Sequence, residues 1–301
     1  MIENKRKKSF NYSVCSIESD GAKLALHSWV PEKPKAMVYY IHGIQSHAGW
    51  LFETGSYFAE KGIAVFVVDR RGSGKSEGIR GDIGNHFQLL NDYLKILRII
   101  RSLYIQLPLT LIGQSLGGSI LSALLALPDY DVEYNKVVFC ASALGKKHNE
   151  VSAIDYARVI SESSMDLIDI PIKDEDFSDQ SKYLDFISSD PLLYRKITKR
   201  SLASLLLMEN LYLSKPGLLS EKQAVYVCPE EDPIVNLDYS ISVFQKLTNE
   251  HGEVKRFQTY KHYLWFTDQS MLVHQWIVNW ILSTKKEVLH EDFDISSSTA
   301  A

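Results

Sequence analysis

The chain has 301 residues, 45% of them hydrophobic, enough to bury a large core in one domain or two. Its 33 Lys and Arg against 37 Asp and Glu leave a formal net charge of −4, which argues against a nucleic-acid binder, since that needs a basic surplus on one face. Three scattered cysteines match no metal-ligand spacing, no stretch approaches a membrane span, and no apolar run follows the basic "KRKK" at Lys5 to Lys8, so the expectation is a cytoplasmic protein with a solvated basic arm and no metal or cofactor.

Along the chain, short apolar runs alternate with longer helical patterns. The first two strand candidates, residues 11–17 and 23–29, alternate polar and apolar side chains as half-exposed antiparallel strands do. The next six, at 36–42, 63–69, 109–114, 136–142, 224–228 and 254–260, are for the most part continuous apolar runs, the pattern of strands covered on both faces. Helical spacing appears at 86–105, 117–127, 236–249 and 268–284. Strands alternating with helices predict a mostly parallel α/β sheet. From about Lys146 to Ser214 the alternation stops, leaving helical fragments broken by "DIPIKDEDFSD" and "SSDPLL". That stretch reads as an all-helical insertion capping one end of the sheet, and the polar "HEDFDISSSTAA" as a frayed tail. Cys140 and Cys228 sit in apolar runs and are expected to be buried.

The run 109–114 stops at Gly113-Gln114-Ser115-Leu116-Gly117, a G-x-S-x-G motif between an apolar strand and a helical segment. A serine raised on so sharp a strand-to-helix turn needs small neighbours two residues to either side, and it adopts a strained backbone. Such a serine is a nucleophile if two backbone N–H groups can receive the negative charge its attack creates. Leu116 supplies one; the loop "HGIQSHAGW" at 42–50 supplies the other through Ile44, with Gly43 allowing close approach and His42 shaping the loop. In this chain order an acid and then a base follow the serine. "CPEEDPIVN" offers Glu230, Glu231 and Asp232, and "YKHYLWF" offers His262, each where a strand runs out. His251, His274 and His290 are expected at the surface. Asp69 and Arg71 are expected to be structural, Asp69 tying down the glycine-rich loop 72–78 through its backbone N–H groups.

Together "HGIQSHAG", "DRRGSGKSEGIRG", "GQSLGG", "SSDPLLYRKIT", "EEDPIV" and His262 resemble the monoglyceride lipase and lysophospholipase-like branch of the α/β-hydrolases over about two thirds of the chain. The resemblance implies an α/β-hydrolase fold with an eight-stranded, mostly parallel sheet, a core formed by 1–145 and 216–284, a helical cap at 146–215 inserted after the sixth strand, and a flexible tail at 285–301. It selects Asp232 as the acid of a Ser115–His262–Asp232 triad, with Ser–His and His–Asp contacts at about 2.6–3.2 Å. It implies hydrolysis of a carboxylic ester of the monoacylglycerol or lysophospholipid kind, with transient contact to a membrane surface. A thioesterase, an amidase, an acyltransferase or a binding protein on the same fold are the alternatives. Gln114 and Trp50 stand where the family often has His and Arg, and Pro229, Trp265 and Asp268 also depart from its pattern. His42, Gly43, Gln114, Trp50 and Trp265 are the expected substrate-binding positions. Between Ser161 and Asp190 nine acidic residues face two basic ones, an excess of seven negative charges expected to disfavour anionic acyl donors.

Overall fold

The computed structural model describes residues 9–283; the basic cluster at 5–8, the expected tail at 285–301 and His290 lie outside the described residues. Ten strands are formed among the described residues: β1 (Phe10–Ser19), β2 (Ala22–Pro31), β3 (Ala36–Ile41), β4 (Ile63–Val68), β5 (Leu109–Gln114), β6 (Lys136–Cys140), β7 (Leu167–Asp169), β8 (Lys196–Thr198), β9 (Gln223–Pro229) and β10 (Glu253–Phe257). Eight of them make one sheet in the order β1-β2-β4-β3-β5-β6-β9-β10. β1 pairs with β2, and β2 with β4, antiparallel; every other pairing in this sheet is parallel.

Every residue of β3, β4, β5 and β6 is buried, as their largely apolar runs require. The two-residue period of a strand divides them between two cores. Met37, Tyr39, Leu111 and Phe139 face one side, where α2 (His86–Leu103), α3 (Leu116–Leu125), α8 (Lys199–Leu213) and α9 (Leu237–Thr248) pack. Val38, Tyr40, Ile112 and Val138 face the other, covered by α1 (Phe52–Glu60) and α10 (Ser270–Leu282). Asn85 and Asn236 begin α2 and α9 by accepting the Phe87 and Tyr239 N–H groups on their side chains.

Three local features depart from the sequence reading. α1 has no counterpart there: Gly55 interrupts its helical pattern, yet the glycine is a packing requirement, since a Cβ would come within 2.5 Å of the Trp29 ring. The segment between β6 and β9, expected to be all helical, holds α4 (Lys146–Glu150), α5 (Ala153–Ile160), α6 (Asp174–Phe177), α7 (Ser181–Ser189) and α8, but also a ribbon of β7 against β8 separate from the main sheet. Strands of three residues are too short for alternation to register. The acidic excess of 161–190 is also offset from just beyond it: Asp166 pairs with Lys199 at 3.0 Å, Asp169 with Lys196 at 3.5 Å and Asp174 with Arg195 at 2.7 Å.

Candidate active site

Ser115 is the hinge between β5 and α3, with φ 54° and ψ −123°. For a residue bearing a Cβ this is strained, and the surroundings hold it there. The Ser115 N–H donates to the Cys140 carbonyl at 3.0 Å, and its own carbonyl accepts from Gly118 and Ala143. The flanking glycines are required by close approach: a Cβ on Gly117 would lie 2.0 Å from the Ile41 carbonyl oxygen, and one on Gly113 would lie 2.6 Å from Gly118 Cα. Leu116 opens α3, so its N–H has no acceptor within the helix and joins the positive end of the helix dipole.

Asp232 follows β9 and His262 follows β10, so parallel neighbouring strands carry both to the edge that holds Ser115. Asp232 Oδ2 meets His262 Nδ1 at 2.8 Å, while Oδ1 accepts the N–H groups of Ile234 and Val235 at 2.8 and 2.9 Å. With both oxygens engaged, the carboxylate is fixed and Nδ1 carries the ring proton, leaving Nε2 as the acceptor. Glu230 and Glu231, the other acids considered, are exposed. No hydrogen bond joins Ser115 to His262 among the described residues; Nε2 of the ring faces the Gln114 amide at 3.5 Å. Gln114 Oε1 is buried without a partner.

The loop after β3 lies against the serine: a Cβ on Gly43 would stand 3.2 Å from Ser115 Cβ and 2.7 Å from Gln114 Oε1. His42 is locked into this loop. Its Nε2 accepts the Arg70 N–H at 3.0 Å, so Nδ1 donates to the Gly43 carbonyl at 2.9 Å. Burial first, and then the Arg70 charge, push its pKa down to about 3, so the ring is neutral. Asp69 and Arg71 have the structural contacts expected of them. The Asp69 carboxylate accepts the N–H groups of Ala48 and Lys75 at 2.7 Å each, and Arg71 grips Asp92 with two bonds of 2.9 Å.

A cavity of about 440 Å³ opens over Ser115, Leu116 and Ile44. Ile170, Pro171, Ile172, Leu205, Pro233 and Ile234 form its apolar wall, and Lys146, Lys147, Glu150 and Glu209 a polar end. A larger groove of about 770 Å³ along β1, β2 and α2 contains none of the candidate residues. His42, Gly43 and Gln114 do not line this cavity. Trp50 and Trp265, expected at the pocket border, are buried core residues: Trp50 packs on Phe177, Tyr263 and Phe266, and the Trp265 indole donates to the Tyr40 hydroxyl at 2.9 Å. His274, expected at the surface, is buried, meeting Thr54 at 2.9 Å and stacking on Trp265. His251 is exposed, and Cys140 and Cys228 are buried.

Sequence reasoning passed over two groups at this site. Asp190 Oδ2 accepts from Trp50 Nε1 at 2.7 Å and from His47 Nε2 at 2.9 Å, tying the end of the 42–50 loop to the chain after α7. The second is Arg70, whose only signal was a cation directly after a buried strand.

The sequence profile of the serine aminopeptidase S33 family matches residues 32–269. The chain is similar to a monoacylglycerol lipase of Mycolicibacterium smegmatis, 22% identical over 87% of this chain and 94% of that one. It is similar to the monoglyceride lipase of Homo sapiens at 28% identity, over 60% of this chain and 59% of the human protein. Among solved structures, a soluble variant of the Saccharomyces cerevisiae monoglyceride lipase with a substrate analog superimposes with a TM-score of 0.77 at 18% identity, covering 93% of this chain and 98% of that one. A monoacylglycerol lipase of Paleococcus ferrophilus gives 0.72 at 20% identity, covering 86% and 98%. These structures share the fold.

Proposed function

Because this chain belongs to the serine aminopeptidase S33 family of α/β-hydrolases, lipase- and esterase-type enzymes, we propose that it hydrolyses a carboxylic ester through an acyl-Ser115 intermediate. The acyl donor is a lipid ester of the monoacylglycerol or lysophospholipid kind, met in the cytoplasm or at a membrane surface. The observation that carries this reading is the strained Ser115 at the floor of a largely apolar cavity, beside a His262 whose Nδ1 is engaged by Asp232 at 2.8 Å.

Ser115 Oγ attacks the acyl carbonyl carbon as its proton passes to His262 Nε2, and the carbonyl oxygen gains negative charge facing the Leu116 and Ile44 N–H groups. Collapse expels the alcohol, which takes the proton from His262. Water then repeats the sequence on the acyl-enzyme, releasing the carboxylic acid and restoring Ser115. Asp232 holds the imidazole in the required tautomer and stabilises its cation. At 3.5 Å the contact of Nε2 with the Gln114 amide is too long to compete strongly for the serine proton's acceptor.

The apolar wall supports an acyl chain, and the mixed charges of Lys146, Lys147, Glu150 and Glu209 support a polar head. A fluorophosphonate probe should label wild-type protein at Ser115 and leave Ser115→Ala unlabelled. Turnover across monoacylglycerols, lysophospholipids, thioesters and amides should be greatest for the esters. Labelling elsewhere, or a preference for thioesters or amides, would overturn the reading.

A further inference from the structure

Arg70 and Arg71 are neighbours with opposite fates. Arg71 meets a carboxylate, Asp92, in a paired geometry that fastens α2 to the glycine-rich loop. Arg70 is 1% exposed and forms no ion pair among the described residues. A buried cation without a counter-ion is costly to keep. Its guanidinium goes instead to carbonyl oxygens of the 42–50 loop: Nη1 donates to Gly43 at 3.2 Å and Nη2 to Ile44 at 2.8 Å. Nη2 also bonds the Tyr194 hydroxyl, which braces the fork from the chain following α7. Two of the loop's own polar side chains, Gln45 and Ser46, are buried with their polar atoms unpartnered.

The Gly43 carbonyl and the Ile44 N–H belong to one peptide unit, and no peptide bond among the described residues is cis. In a trans peptide the two groups point in opposite directions. Anchoring the Gly43 oxygen on Arg70 and His42 therefore turns the Ile44 N–H away from them, toward the side where Ile44 and Ser115 line the cavity. Drawing electron density onto the carbonyl oxygen also makes the N–H of the same unit a stronger donor.

We propose that Arg70 is a positioning residue of the oxyanion hole, which aims and polarises the Ile44 N–H toward the charge that develops on the acyl oxygen. The proposal rests on the reading of Ser115 as nucleophile and Ile44 as donor. It explains why an arginine occupies this position: a planar fork can hold two successive carbonyls and a tyrosine at once, and an ammonium cannot reproduce that geometry. Asp69, through Ala48 and Lys75, secures the surrounding loops without touching the 43–44 peptide.

The experiment compares wild type with Arg70→Met and Arg70→Lys, each checked for native fold by circular dichroism and thermal melting. The substrate is a short monoacylglycerol. The inhibitors are an alkyl trifluoromethyl ketone, which adds Ser115 Oγ to its carbonyl carbon and places the resulting oxyanion in the hole, and the matching methyl ketone, which adds poorly. In Arg70→Met, kcat should fall by roughly 10- to 100-fold, less than the loss of a donor outright, with KM changed less than about threefold. Affinity for the trifluoromethyl ketone should fall in parallel and that for the methyl ketone should hold. Arg70→Lys should recover part of both losses. Unchanged kcat and trifluoromethyl ketone affinity in either folded variant, or a change in KM alone, would overturn the proposal. So would failure of both variants to fold, which assigns Arg70 to stability. Failure of the underlying reading shows separately, as wild-type protein that a fluorophosphonate does not label at Ser115.

Discussion

Ser115 and Asp232 are held by backbone: a strained turn whose N–H and carbonyl are both bonded, and a carboxylate filled by two main-chain N–H groups and a histidine. Across the cavity, the segment between β6 and β9 also relies on charged side chains. Asp166, Asp169 and Asp174 find partners at Lys199, Lys196 and Arg195, and Asp190 latches the segment to His47 and Trp50. Two of its apolar side chains, Ile154 at 93% and Leu167 at 53%, are exposed, while Ile187, Leu206, Met208 and Tyr212 are buried. Partly exposed ion pairs contribute little to stability, whereas a buried carboxylate and an intact sheet contribute much. The sheet side therefore fixes Ser115 and Asp232 through the backbone, and the other side adds surface ion pairs that can be exchanged.

The largest expected effect falls on the sheet side. Asp232→Asn should preserve the fold and lower kcat by up to ~10⁴, because the amide favours the wrong imidazole tautomer. Glu231→Gln, on an exposed side chain, should change kcat less than about threefold. Steady-state kinetics on one ester decide between them.

Next is acid stability. Burial alone would raise the Asp69 pKa, but the His27 hydrogen bond and charge, His42 and the Lys75 N–H together bring it from 3.8 down to about 2. A carboxylate depressed by folding stabilises the native state fully above its unfolded pKa and loses that contribution as pH falls through the folded one. Stability should thus decline between about pH 4 and pH 2 by about 2 kcal/mol from this residue. Denaturant melts across that range should show a shallower decline for Asp69→Asn. An unaltered slope would remove Asp69 as its source.

On the opposite side, Asp190→Ala should lower stability by about 1–2 kcal/mol through loss of the His47 and Trp50 bonds. Limited proteolysis should then cut between residues 161 and 195 sooner than in wild type. Cleavage at an unchanged rate would show that the ion pairs, not the latch, hold the segment.

The smallest effect concerns charge. A neutral monoacylglycerol should be turned over faster than its phosphorylated counterpart, and more so at low salt, but only severalfold, because Lys199, Lys196 and Arg195 neutralise part of the acidic run. Measuring kcat/KM for the pair at two ionic strengths tests this; a preference for the anion that grows as salt falls would contradict it.

The same contrast governs what could be read in advance. The strands of the sheet are legible because burial on both faces demands continuous apolar runs, and Ser115, Asp232 and His262 because each stands where such a run ends. α1 was not legible, since Gly55 looks like a helix breaker until Trp29 is seen against it. Trp50 and Trp265 were assigned by analogy to the pocket border, yet large aromatic rings beside a sheet edge fill the core unless something polar holds them out. Arg70 escaped because sequence shows a charge and not its partner: the same residue type, one position on, forms an ordinary ion pair. The acidic count taken alone overstates the local charge for a related reason, as its counter-ions begin five residues after the window closes.

One backbone bond joins the two halves of this contrast. The His262 N–H donates to the Asp176 carbonyl at 2.9 Å, so the loop that presents the histidine is tied to α6 in the segment between β6 and β9. That amide proton can exchange with solvent only when α6 separates from the loop or the loop unfolds. Deuterium uptake at a single residue thereby reports how often the segment between β6 and β9 parts from the loop that carries His262.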